Sequence, residues 1–214
     1  MSAEGKPVLK SAQPIPDGAA IVYEKPHPYV SRGALKLTAA LDHFALSPKG
    51  LTCIDLGAST GGFTEVLLER GARKVYAVDV GHGQLHAKLA ADPRVISLEG
   101  INARDLTVAH IPEPVDCIVA DVSFISLKLV LASAVKLTGE RAWLVALVKP
   151  QFEVGREHVG KGGIVKDEAA QAKAVQVIVD WIGGQSGWSM IGTMESPIAG
   201  GDGNREFLLA AKKS

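Results

Sequence analysis

The chain has 214 residues, 47% hydrophobic and 21% charged, a balance that suits one folded domain with a short appendage and excludes intrinsic disorder. Lys plus Arg and Asp plus Glu number 23 each, so the net charge is zero and any nucleic-acid contact must rest on a local basic patch. No apolar run approaches the roughly 18 residues of a membrane helix, and Met1–Gly5 lack the apolar core of a signal peptide. An intracellular, cytoplasmic protein without a membrane partner is expected. Cys53 and Cys117 each sit alone in an apolar run, which points to buried reduced thiols; neither a disulfide nor a metal site is expected.

In chain order, Lys6–Val22 has the pattern of two short strands around the turn Pro14-Ile15-Pro16-Asp17-Gly18, and Pro26 and Pro28 follow as a linker. Such a hairpin is too small to be a domain alone. Residues 1–28 therefore read as the end of a small module plus its linker, and residues 29–214 as the main domain. Leu37, Leu41 and Phe44 recur at i, i+4, i+7, so Ser31–Phe44 reads as a helix packed on the core.

From Leu51 onward, short β-branched runs alternate with helical periods. Strands are expected at Leu51–Leu56, Lys74–Val80, Arg94–Leu98, Val115–Asp121, Arg141–Val148, Trp188–Met194 and Arg205–Ala211. Between them Phe63, Val66 and Leu67 have helical spacing, as do Val175, Ile178, Val179 and Ile182. The alternation implies βαβ units: an α/β, Rossmann-like fold with a mostly parallel seven-stranded sheet and helices on both faces.

The sharpest local signal is Asp55-Leu56-Gly57-Ala58-Ser59-Thr60-Gly61-Gly62-Phe63, which follows the first strand and opens a helix. Glycines there let backbone approach a ligand, and the helix N-terminus adds free N–H groups. The next strand ends in Val78-Asp79-Val80, where the carboxylate is placed to accept two hydrogen bonds from a ribose diol. The loop reads G-x-x-x-G-G, not the dinucleotide pattern G-x-G-x-x-G, so nothing in it cradles a pyrophosphate. S-adenosylmethionine has no phosphate, and its ammonium needs a nearby carboxylate or carbonyl, a role open to Asp55. The methyl donor is favoured over a nicotinamide dinucleotide. Asn102, after the third strand, is placed either to meet an adenine edge or to make a local turn.

Four polar residues belong at one rim of such a sheet, because ligands bind outside the carboxyl ends of its strands. Asp121 ends the fourth strand and Lys149 the fifth. Lys36 lies on the leading helix, and Glu206 starts the last strand, at the same rim if that strand runs antiparallel.

Five segments together resemble the TlyA family: Ser31-Arg32-Gly33-Ala34-Leu35-Lys36-Leu37, the Asp55–Phe63 loop, Asp121-Val122-Ser123-Phe124-Ile125-Ser126-Leu127, Val148-Lys149-Pro150-Gln151-Phe152-Glu153 and Gly203-Asn204-Arg205-Glu206-Phe207-Leu208. This family comprises ribosomal RNA 2′-O-methyltransferases, also labelled hemolysin A, within the FtsJ-like group. The resemblance implies a class I methyltransferase fold with an antiparallel last strand, and S-adenosylmethionine as cofactor. It also implies a cytidine target in small- or large-subunit ribosomal RNA, and a Lys-Asp-Lys-Glu tetrad falling on Lys36, Asp121, Lys149 and Glu206. The donor-binding set is then Asp55, Gly57, Ser59, Thr60, Gly61, Gly62, Phe63, Asp79, Val80, Asn102 and Asp121. Members also carry a small N-terminal RNA-binding module, of which Gly5–Ile21 resembles only the closing strands.

Within the tetrad, Lys149 is expected to take the 2′-hydroxyl proton, Lys36 and Glu206 to orient the ribose, and Asp121 to position Lys149 and offset positive charge. Pro150–Lys166 is long, Gly-rich and basic through Arg156, Lys161 and Lys166; it reads as a mobile flap on RNA phosphates or as a solvated loop. Ser196–Gly203 is a second Gly-rich loop near Glu206. Arg32 and the Lys25–His27 segment are further candidate phosphate contacts. Aromatic residues make up only 5%, so no stacking platform is expected, though Phe124 and Phe152 flank the site. Two other readings stand beside the methyltransferase. One is a NAD-dependent oxidoreductase. The other is a membrane-lytic protein, which rests on the older family label alone.

Overall fold

Runs of Val, Ile, Leu and Ala that are apolar on both sides become strands buried on both faces. A computed structural model describes residues 2–4, 6–7, 14–22 and 27–214. The main strands are β1 (Thr52–Leu56), β2 (Lys74–Asp79), β3 (Val95–Glu99), β4 (Val115–Ala120), β5 (Thr138–Val148), β6 (Trp188–Glu195) and β7 (Phe207–Lys213). They form one sheet in the order β3-β2-β1-β4-β5-β7-β6. The pairs from β3 to β5 are parallel, and β7 is antiparallel to both of its neighbours.

The helices are α1 (Gly33–His43), α2 (Gly62–Glu69), α3 (Ala87–Ala90), α4 (Leu127–Ala134), α5 (Pro150–Glu153) and α6 (Glu168–Gly183). Successive strand residues point to opposite faces, so each strand feeds two cores. Ile54, Ile118, Leu144 and Leu209 pack with residues of α4 and α6. Cys53, Val119, Val145 and Leu208 pack with residues of α1 and α2. Burial of each large aliphatic side chain contributes roughly 1.5–3 kcal/mol, and this two-sided burial holds the sheet. Cys53 and Cys117 face each other in register across β1 and β4, both buried and both free thiols.

The structure departs from the sequence reading at the rim of the sheet and at the N-terminal end. The fourth strand ends at Ala120, one residue before the expected Asp121; the fifth ends at Val148 as expected, just before Lys149, and β7 starts one residue after Glu206. All three polar residues therefore stand just outside the ladder, with side chains free to turn into the rim. Reversal of β7 pairs Phe207 with Val148, which sets Glu206 beside the strand end that carries Lys149. At the N-terminal end, Lys6–Pro7 and Ile21–Val22 do not pair with each other; Ser2–Ala3 lies between them and pairs antiparallel with both. The expected turn does form, with Ala19 N–H donating to Pro16 O at 3.1 Å and Gly18 at φ 79°. Lys25, part of a candidate phosphate contact, lies outside the described residues.

Candidate active site

The β1–α2 loop is built on close backbone approaches. At Gly57, φ is 80°, and a Cβ there would stand 2.6 Å from the carbonyl oxygen of Asp121, a backbone atom that cannot swing away. At Gly62 a Cβ would stand 2.1 Å from Ser31 Oγ. The loop thus lies directly on the residues that open α1 and follow β4. Ser59 adopts φ 48°, and its N–H donates to Asp79 Oδ2 at 2.8 Å. Gly81 N–H donates to Asp79 Oδ1 at 2.7 Å, so both carboxylate oxygens are aimed by backbone amides.

Two adjoining cavities open at this rim. One, of about 300 Å³, is lined by Ser31, Arg32, Gly33, Lys36, Gly57–Thr60, Gly62, Phe63, Asp121, Ser123 and Lys149. The other, of about 450 Å³, is more apolar and is lined by Val78, Asp79, Val80, Gln84, Ile101–Ala103, Asp121–Ile125 and Val130, with Gly57 and Ser59 at the junction. Asn102 makes the local turn that was one of its two readings. Its Oδ1 accepts the Arg104 N–H at 3.1 Å in a local cap, and the residue also lines the second cavity.

The four tetrad residues come together as two pairs. Lys36 Nζ donates to Glu206 Oε2 at 2.6 Å, both side chains buried. Lys149 Nζ lies 2.7 Å from Asp121 Oδ1 as a close ion contact and donates to Ser123 Oγ at 2.8 Å. Two cations and two carboxylates leave the group neutral, which lets it sit at the mouth of a low-dielectric cleft. Lys36, Asp121 and Lys149 line the polar cavity, and Glu206 stands behind Lys36.

Asp55 is placed differently from its expected role. It is fully buried beneath the loop, accepts the Thr64 hydroxyl at 2.6 Å, and lines neither cavity. Desolvation raises its carboxyl to about 7. Gly61 is likewise set back, its left-handed turn packed on Leu85 and Leu89.

The segment read either as a flap on RNA phosphates or as a solvated loop carries short turns. Residues 150–166 hold the single turn α5 and two 3-10 turns, Arg156–His158 and Lys161–Gly163. The end of the segment is pinned: Asn204 Oδ1 accepts from Val165 N–H at 3.0 Å, Asn204 Nδ2 donates to Gly163 O at 2.9 Å, and Gln171 Nε2 donates to Val165 O at 2.7 Å. Arg156, Lys161 and Lys166 are exposed on it and line neither cavity, whereas Arg32 lines the polar one. Sequence reasoning passed over Ser123, Glu153 and Asn204 as individual site residues. All three fall inside the five family-like segments, which was the available signal.

The family model for FtsJ-like methyltransferases matches residues 29–213. The chain belongs to that family. Among its relatives, the 16S/23S rRNA (cytidine-2′-O)-methyltransferase TlyA of Mycobacterium tuberculosis is 48% identical over 208 residues, covering 96% of this chain and 77% of the relative. Hemolysin A of Brachyspira hyodysenteriae is 41% identical over 209 residues, covering 95% of this chain and 85% of the relative. A solved Lactococcus lactis structure that carries a hemolysin name has a TM-score of 0.83 and 44% identity, over 87% of this chain and 89% of its own. An FtsJ-like methyltransferase moves a methyl group and not a hydride, so the oxidoreductase reading falls away. Among the described residues of this FtsJ-like chain, no helix is long and apolar enough to cross a membrane.

Proposed function

We propose that this methyltransferase uses S-adenosylmethionine to methylate the 2′-hydroxyl of a cytidine in ribosomal RNA. The Lys149–Asp121 contact, at the junction of a polar and an apolar cavity and backed by the Lys36–Glu206 pair, carries the reading.

The residues fit the donor. Asp79, aimed by two amides, suits a ribose diol, and Asn102 with Val80, Ile101 and Val122 offers an amide and apolar walls for an adenine. The Gly57–Thr60 backbone and Asp121 line the polar side, which suits an amino-acid end, with Gly62 and Phe63 closing it. When bound, S-adenosylmethionine supplies an electrophilic methyl group on a positively charged sulfur.

The ribose hydroxyl is a weak nucleophile until its proton begins to leave. Lys149 takes that proton as the general base. Asp121 and Ser123 fix the amine, and Asp121 offsets positive charge. Lys36, held by Glu206, orients the ribose. Such alignment supplies about 7–11 kcal/mol in well-oriented reactions. Arg32, Arg156, Lys161 and Lys166 meet phosphates, and exposed Phe124, with Phe152 at 5.0 Å between ring centroids, covers the nucleotide.

Calorimetric titration with S-adenosylmethionine and with NAD, followed by methyl transfer to ribosomal subunits, tests the proposal. Saturable binding of the donor alone, lost in Asp79→Ala, is expected, and Lys149→Ala is expected to bind the donor without transferring. Binding of NAD alone overturns the cofactor reading. Near-normal turnover in Lys149→Ala overturns the role given to that lysine.

A further inference from the structure

The segment from Asp121 to Ser126 joins β4 to α4 and carries much of the site. Asp121 and Ser123 contact Lys149 Nζ at 2.7 and 2.8 Å. At its apex, Phe124 is 90% exposed with φ 65°. A left-handed conformation is strained for an ordinary L-residue, so something must hold this segment in place.

Glu153 holds it. Its Oε2 accepts the Ser126 hydroxyl at 2.6 Å, and its Oε1 accepts the Leu127 N–H at 2.7 Å. Ser126 occupies the N-cap position of α4 but makes no capping bond of its own. A helix start is ordinarily satisfied by its own N-cap side chain. Here the acceptor comes from α5, the turn that begins at the residue after Lys149, with Pro150 fixing its first φ. The loop is therefore fastened twice to one short stretch: by Asp121 and Ser123 to Lys149, and by Ser126 and Leu127 to Glu153. Neither α5 nor the loop can shift without the other.

We infer that Glu153 is a positioning residue for methyl transfer, whose carboxylate locks the Asp121–Ser126 segment so that Asp121 and Ser123 hold the Lys149 amine in line with the substrate. This deepens, and rests on, the role proposed for Lys149. Glu153 touches neither donor nor ribose; it acts through the segment that it ties down.

The test compares Glu153→Ala and Glu153→Gln with the wild-type chain, by steady-state methyl transfer, donor calorimetry and amide hydrogen exchange over residues 121–127. In the alanine variant kcat is expected to fall about tenfold or more while donor affinity moves little, because misplacement of a catalytic group by about an ångström costs rate and not binding. Exchange at Leu127 and the loop amides is expected to accelerate. Glutamine is expected to restore most of kcat and of the protection, since its amide oxygen still accepts from Leu127 and its NH₂ group donates to Ser126 Oγ. Wild-type kcat in Glu153→Ala overturns the inference, as does an equal loss in Ala and Gln. If the wild-type chain transfers no methyl group, the functional reading fails by itself. Exchange then still decides the tether, and unchanged protection in Glu153→Ala overturns it. Should Glu153→Ala not fold, Ser126→Ala removes one of the two bonds; a partial kcat loss with faster loop exchange supports the inference, and no change in either overturns it.

Discussion

Lys36 and Glu206 stand 170 residues apart in the chain and 2.6 Å apart in the fold, both nearly out of reach of solvent. Breaking a buried pair from one side strands the other charge, at about 3–5 kcal/mol. Lys36→Ala and Glu206→Ala are each expected to lose that much unfolding free energy in urea titrations. The double variant Lys36→Met/Glu206→Leu is expected to recover most of the stability and none of the methyl transfer. Simple addition of the two single losses in Lys36→Ala/Glu206→Ala would show that the residues do not act as a pair.

Asp55 makes stability depend on pH. Burial raises its carboxyl from 3.8 to about 7, opposed by the Thr64 hydrogen bond and reinforced by Asp121 and Asp79. A folded pKa above the unfolded one favours the fold in its protonated state, so this contribution is whole below about pH 4 and lost as pH rises through 7. Asp55→Asn keeps an acceptor for Thr64 and removes the titration. Its stability relative to wild type is expected to climb between pH 4 and 7 and then level off, at a gain on the order of 4 kcal/mol at most. A difference that does not change with pH would show that Asp55 does not titrate as a buried acid.

Gly57 and Gly18 share nearly the same φ, 80° and 79°, but differ in their surroundings. Among the described residues, a Cβ on Gly18 meets nothing within 4 Å, whereas one on Gly57 stands 2.6 Å from the Asp121 carbonyl oxygen. Gly18→Ala is expected to cost only backbone strain, about 1–2 kcal/mol, with transfer unaffected. Gly57→Ala is expected to cost more and to depress transfer, since the Asp121 backbone must move. Thermal unfolding and turnover, measured side by side, separate the two costs.

Asn204 is the pin of the basic segment. Asn204→Ala leaves Val165 N–H and Gly163 O without their partner, a loss of about 1–3 kcal/mol for a buried polar group. Limited proteolysis is expected to cut residues 160–166 faster, with RNA binding weakened and donor binding retained. Unchanged proteolysis would mean that Gln171 alone is enough to hold the segment.

The fold was legible because its signals are local and periodic. The runs of β4 and β5 are continuous and apolar, and the reversal of β7 was carried by the family-like motif around Glu206. Lys36, Asp121, Lys149 and Glu206 were legible from position, since strand ends gather at one rim. Their division into two pairs was not, because that depends on side-chain directions that no spacing encodes. Glu153 and Asn204 act through side chain–backbone bonds spanning 26 and 39 residues, which leave no trace in periodicity. Asp55 was read one layer too shallow: its burial comes from α2 folding down through Thr64. The two-residue strand at Ser2–Ala3 is too short to carry any pattern.

The sheet order also sets a timetable. β6 lies at the edge, bonded only to β7, and β7 follows it in the chain. While the protein is being made, residues 188–195 therefore leave the ribosome before their neighbour exists. They must wait, unpaired, until residues 207–213 insert between them and β5. Glu206 arrives with that insertion, so Lys36 lacks this partner until then. The parallel strands can thus pair before the Lys36–Glu206 contact exists, and the proposed site is complete only once β7 is in place.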